Sequence, residues 1–184
     1  MADTRIVVRG RLSYVHLFKP HAAVQGQEEK YSTTILIDKR DTKTKLKIDA
    51  EIKAAEEYGV SDKWGGVRPI KINSPLKDGD GKKEDGTPYG DECKGCWVIN
   101  ASAKVDYPPQ VVNAKVEPIM DQSEIYSGIY ANVSINFYPY AYMNKRGIGV
   151  GLGNVQKIKD GESLAGGRNA QQDFQVVEDD DMPW

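Results

Sequence analysis

The chain has 184 residues, 39% of them hydrophobic and 9% aromatic, the composition of one water-soluble domain large enough to bury a core. All 25 Lys and Arg lie in residues 1–168 against 22 of the 27 acids, so that body carries +3, whereas residues 169–184 carry −5. The sequence has no 18-residue apolar run to span a membrane and no basic-then-apolar secretion signal after Met1; with only Cys93 and Cys96 it cannot build a disulfide framework, which points to a reducing cytoplasm.

Residues 4–15 alternate with period two. Ile6, Val8, Leu12 and Tyr14 share one face, and Arg5, Arg9, Arg11 and Ser13 the other, which predicts a half-buried strand. Residues 30–38 read as a second strand after the polar turn at Gln25-Gly26-Gln27. Asp41 or Thr42 can cap a helix over 42–58, with Ile48, Ile52 and Ala55 on its inner face and Gly59 as its stop. Residues 73–95, dense in Gly, Pro and charge, predict a long mobile excursion with little regular structure.

Trp97, Ile99, Ala101, Ala103 and Val105 then mark the core face of a strand that Pro108-Pro109 ends, and Val111-Val112 can begin a short one. The clearest strand spans 128–142. Ile129 to Phe137 alternate with Tyr130 to Tyr138, Pro139 argues for an edge or bulge, and Tyr140 and Tyr142 continue the outer face. In Gly147–Gly153 Ile148, Val150 and Leu152 alternate with bare glycines. Beyond Asp160-Gly161 loop and then disorder are expected, giving a domain over 1–160 and a linker with an acidic tail over 161–184. The fold class is mainly β with one helix. A small closed or partly open barrel, of which the OB-like barrel is one form, competes with a β-sandwich, and alternation does not separate them.

The outward faces combine cations with rings. Arg5, Arg9 and Arg11 stand on one strand, Tyr130, Tyr138, Tyr140 and Tyr142 on another, and Lys145 and Arg146 precede the glycine ladder, which would let a nucleic-acid strand lie close to the backbone. Phenol faces stack bases and cations meet phosphates, so the set suits single-stranded nucleic acid bound without sequence preference. Trp64, before Gly65-Gly66 and Arg68, is a second stacking candidate; Trp97 reads as core; Phe18 and Lys19 extend the groove; Lys82, Lys83 and Lys94 can close over a bound strand. Cross-strand tyrosine pairs and solvated arginines are the plain alternative. The tail Glu178-Asp179-Asp180-Asp181-Met182-Pro183-Trp184 joins four acids to an apolar tip, a pattern that suits docking on a basic-rimmed apolar pocket of a partner.

Asp179-Asp180-Asp181-Met182-Pro183-Trp184 resembles the Asp-Asp-Asp-Ile-Pro-Phe tip of bacterial single-stranded-DNA-binding proteins. The body lacks their pattern and instead resembles a phage family of OB-fold single-stranded-DNA-binding proteins. The strand with Arg5 to Arg11, the Tyr31–Asp38 strand leading into a charged helix, and Gly-Val-Gly-Leu-Gly-Asn-Val-Gln-Lys-Ile-Lys within Gly147–Leu164 carry this likeness. The resemblance implies sequence-independent binding of single strands in replication or recombination, in the cytoplasm of a bacterial host. It implies tail contacts with replication or recombination proteins, no cofactor and no membrane, and leaves a homodimer open.

Other signals are weaker. Cys93-Lys-Gly-Cys96 is half a zinc motif whose second half is missing, with His16 and His21 far away in sequence. The glycine ladder is no dinucleotide fingerprint, because no helix follows it. Asp78 or Asp80 with Glu92-Cys-Lys94 could form a metal-dependent nuclease site, and an adaptor without nucleic-acid affinity is a third reading.

Overall fold

The computed structural model describes residues 5–22, 24–164 and 177. Seven strands follow in chain order: β1 (Arg5–His21), β2 (Lys30–Asp38), β3 (Lys77–Asp78), β4 (Cys96–Lys104), β5 (Val111–Val112), β6 (Tyr130–Tyr142) and β7 (Lys145–Lys159). One helix, α1 (Thr42–Ser61), lies between β2 and β3. The sheet order β3-β4-β2-β1-β6-β7-β5, with an added parallel pairing of β4 to β7, closes β1, β2, β4, β7 and β6 into a five-stranded barrel. This is the OB-like architecture, not a sandwich of two sheets. No helix among the described residues is long and apolar enough to cross a membrane.

Alternation builds the interior. Val8 and Leu12 of β1, Ile35 and Ile37 of β2, Ile99 of β4, Val133, Ile135 and Phe137 of β6, and Val150 and Val155 of β7 form one buried cluster. A register shift between Val133 and Ile135 moves the inward position of β7 from Leu152 to Val155. Among the described residues β1 pairs with β6 as far as Asn136, so no described residue of β1 calls on Pro139 for an amide.

Three expectations change. The first strand runs on to His21, and one extra residue between Ser13 and His16 breaks its alternation. Tyr14 sits in that bulge with φ +49°, so its ring is 69% exposed instead of joining the core, while Ser13 is buried. Gly59 does not stop the helix, which continues to Ser61. It is buried in the last turns because a Cβ there would stand 2.8 Å from both Pro139 Cβ and the Trp64 ring, so only glycine lets α1 approach β6 this closely. Asp41 is the cap; its carboxylate accepts from the Thr44 amide at 3.2 Å.

The 73–95 excursion is organised. Lys77 and Asp78 pair with Val98 and Trp97, a 3-10 turn spans Asp91–Cys93, and Cys93 and Tyr89 pack on the outward-facing Leu36 and Val98. Charge patterning hid this second apolar cluster, because its strand members point away from the barrel core. Residues 161–164 also fold back across the barrel. Arg11 donates from Nε to the Gly128 carbonyl at 3.1 Å and from its guanidinium to the Glu162 carbonyl, and Leu164 joins the second cluster.

Candidate nucleic-acid interface

Strand registers determine which outward side chains become neighbours. Thr34 of β2 faces Asn100 of β4, and its hydroxyl donates to Asn100 Oδ1 at 2.6 Å. Ser102 of β4 faces Gly151 of β7, so two residues back along these parallel strands Asn100 comes abreast of Gly149, which faces Tyr138 of β6. One row therefore reads Thr34, Asn100, Gly149, Tyr138, with exposed Tyr14 at its β1 end. The adjacent row reads His16, Ser32, Ser102, Gly151, Asn136, Arg5. Together they make a low polar floor with an aromatic ring at each end.

The glycines of β7 serve this floor differently from the sequence expectation. A Cβ at Gly149 would lie 2.6 Å from Tyr138 Cε2, and one at Gly147 2.6 Å from the Tyr140 hydroxyl. The space is taken by tyrosine rings folded across the strand, not left for a nucleic-acid backbone. Asn136 and Ser134 fill the positions over Gly151 and Gly153 in the same way. The ladder thus lets Tyr138 lie down on the sheet, and its ring remains 39% exposed. Burial, and then the neighbouring Tyr140, push the Tyr138 phenol up from its ordinary pKa, so it stays a neutral donor.

The floor has two unlike sides. Toward the open ends of β2 and β4, Lys30 and Lys104 stand directly opposite one another, with His21 abreast of Lys30. Like charges in cross-strand register repel, and a bound anion would relieve that repulsion. Toward the other side the excursion forms a wall. A cleft there is lined by Tyr14, Thr34, Lys83, Tyr89 and Asn100, with Lys83 Nζ 5.7 Å from the centre of the Tyr89 ring. Cations on one side and rings on the other match the two chemistries of a single strand, phosphate and base.

The predicted site residues divide into groups. Arg5, Tyr138 and Tyr140 border the floor. Exposed Tyr142 and Lys145 lie at the β6–β7 tip, where Arg146 donates to the carbonyls of Met143 and Lys145 and shares a hollow with Lys71 and Asn73. Lys19 is exposed on β1, beyond His16. Arg9 and Tyr130 lie elsewhere on the barrel. Arg9 donates to Asn132 at 3.1 Å, and Tyr130, eight residues before Tyr138, is held between Arg11 at 5.7 Å and Lys159 at 4.9 Å from its centroid. Arg11 itself is engaged by two backbone carbonyls. Trp64 is no exposed stacking loop: it is 8% exposed and its Nε1 donates to the Tyr140 carbonyl at 3.0 Å. Arg68 pairs with Glu56 at 3.2 Å. Asp179, Asp180, Asp181, Met182, Pro183 and Trp184 lie outside the described residues.

The rival chemistry finds no matching geometry. Lys39 Nζ sits between Asp78 at 2.5 Å and Asp80 at 2.7 Å, which places an ammonium where a nuclease would hold its cation. Lys94 pairs with Asp91 at 3.1 Å. The described residues contain no cluster of three His, Cys, Asp or Glu suited to a metal ion.

Sequence reasoning missed Lys30, Ser32, Thr34, Asn100, Ser102 and Lys104, and it assigned Tyr14 to the core. The polar alternation of Asn100, Ser102 and Lys104 was visible, but only strand pairing brings those residues opposite Thr34, Ser32 and Lys30.

Comparison with known proteins identifies the family and the fold. The family model described as the single-stranded-DNA-binding protein of Enterobacter phage Enc34 matches residues 4–183. Putative protein p50 of Acyrthosiphon pisum secondary endosymbiont phage 1 is 34% identical over 183 residues, covering 94% of this chain and 90% of the relative. The bacteriophage Enc34 single-stranded-DNA-binding protein, solved in complex with single-stranded DNA, is 30% identical with a TM-score of 0.73, over 88% of this chain and 90% of that one. Bacteriophage T7 gp2.5 shares the fold at 15% identity and a TM-score of 0.62, over 90% of this chain and 97% of that one.

Proposed function

The chain belongs to the Enc34 phage single-stranded-DNA-binding family, and on that premise we propose that it coats exposed DNA strands without reading their sequence. The floor between Tyr14 and Tyr138 carries this reading. Its small side chains let a strand approach the sheet, its end rings offer faces to bases, and Lys30 and Lys104 await phosphates. Stacking on such rings contributes about 1–3 kcal/mol per base and does not depend on base identity. No cofactor enters the process, and the setting is the cytoplasm of a bacterial host during phage replication or recombination.

The acidic tail has two roles in this proposal. Leu164 packs on the cluster of Leu36, Cys93 and Val98, and Cys93 and Val98 also line the cleft beside Tyr14. The −5 segment 169–184 competes there with DNA, and its Met182-Pro183-Trp184 tip recruits replication or recombination proteins. Removing residues 178–184 should tighten binding to a single strand at low salt and weaken partner capture. A parallel salt titration on single-stranded and duplex DNA tests the core reading. Tighter single-strand binding with a linear salt dependence supports it, and no shift at any salt rejects it. Looser binding by the truncated chain rejects the competition.

A further inference from the structure

The floor does not end at Tyr138. Beyond it, the last turns of α1 and the outer face of β6 enclose a cleft of about 550 Å³ lined by Tyr58, Asp62, Lys63, Tyr138 and Tyr140. Its construction follows from residues already described. Gly59 brings α1 onto the buried Pro139, so Tyr138 and Tyr140 on either side of that proline take the outer face, with their rings over Gly149 and Gly147. The helix then leaves through a braced turn. The Asp62 amide donates to the Tyr58 carbonyl at 2.9 Å, the Trp64 amide to the Gly59 carbonyl at 2.8 Å, and the buried Trp64 indole to the Tyr140 carbonyl at 3.0 Å. Trp64 therefore ties one wall of the cleft to the other.

The lining has a definite chemistry. Tyr58, Tyr138 and Tyr140 line a space with room for one planar heterocycle, and the exposed Lys63 lines it with them. The negative charge of Asp62, then partial burial and a hydrogen bond to Asp62, push the Tyr58 hydroxyl up from its ordinary pKa, so this wall stays a neutral ring. Tyr138 belongs to both the floor and the cleft, so a strand on one is already at the entrance of the other.

We propose that this cleft receives one nucleobase turned off the floor, stacked against Tyr58, with its flanking phosphate held by Lys63. The inference rests on the single-strand reading and extends the path from the barrel onto the helix. Tyr58 is then a DNA-contacting residue, and Trp64 a positioning residue that keeps the cleft open.

The test uses the full chain with a 5-iodouracil-substituted oligothymidylate. Photo-cross-linking followed by peptide mass spectrometry should place an adduct on Tyr58. Tyr58→Ala should weaken binding about 5- to 150-fold, the effect of losing one stacked base, whereas Tyr58→Phe should keep most of the affinity. Lys63→Glu, which disturbs no packing, should weaken binding and abolish the Tyr58 adduct. If Tyr138→Ala weakens binding while Tyr58→Ala and Lys63→Glu bind like the parent and Tyr58 gains no adduct, the cleft is not a subsite although the floor still binds DNA. If the parent chain itself shows no affinity, the underlying reading fails and the cleft proposal with it.

Discussion

Lys30 and Lys104 show how one pair can set both a cost and a use. Their Cα atoms are partners in the β2–β4 ladder, and both side chains share the outer face with Ser32 and Ser102. Opposed like charges destabilise a sheet by about 0.2–1 kcal/mol, an effect that phosphate would reverse. The double variant Lys30→Ala, Lys104→Ala should therefore melt slightly higher than the parent without DNA and yet bind single strands less tightly. The slope of log affinity against log salt should shrink by about 1.4, at roughly 0.7 for each of the two phosphates no longer neutralised. An unchanged slope in a salt titration would remove these lysines from the interface. Histidine chemistry adds a second residue-scale device. His16 and His21 stack with ring centroids 4.1 Å apart, and burial first, then the charge of His21, push the His16 pKa below 6.5.

At the scale of elements, the turn after α1 matters beyond its length. Trp64→Ala removes a buried indole and the donor to the Tyr140 carbonyl, so it should cost about 3–5 kcal/mol in denaturant unfolding. Only a small change in the unfolding midpoint would show that Trp64 does not brace the helix against β6. The sequence announced α1 through its Asp41 cap and the Ile48, Ile52, Ala55 face, and β6 through unbroken alternation. It misled at Gly59, because a glycine that permits close approach looks identical to one that ends a helix. It misled again at Tyr14, where a bulge reversed the side-chain direction that period-two counting requires. The arginine and tyrosine faces were legible strand by strand. That Arg11 and Tyr130 bind each other, while Tyr138 joins Asn100 and Thr34, depends on pairings between segments distant in sequence.

For the whole molecule, stability and DNA affinity should respond to pH in opposite directions. The folded chain holds His16 below 6.5 while the unfolded chain takes its proton near that value, so the unfolded state binds more protons as pH falls. Stability should be full above about pH 7 and decline toward about pH 5, above the range where most carboxylates titrate. Phosphate near the second floor row should instead favour the protonated ring, so affinity should rise over the same interval. Chemical denaturation and binding isotherms from pH 5 to 8 would check both trends, and His16→Gln should flatten both; a parent stability curve already flat there would rule this device out. The closure of the barrel has a last consequence. β4 and β7 are joined by a single ladder position, Ser102 with Gly151, and the floor crosses that junction. A strand lying over it would act as an external suture across the weakest join of the cylinder, so each protein on a coated filament would be stiffer, and slower to unfold, than the same protein in solution.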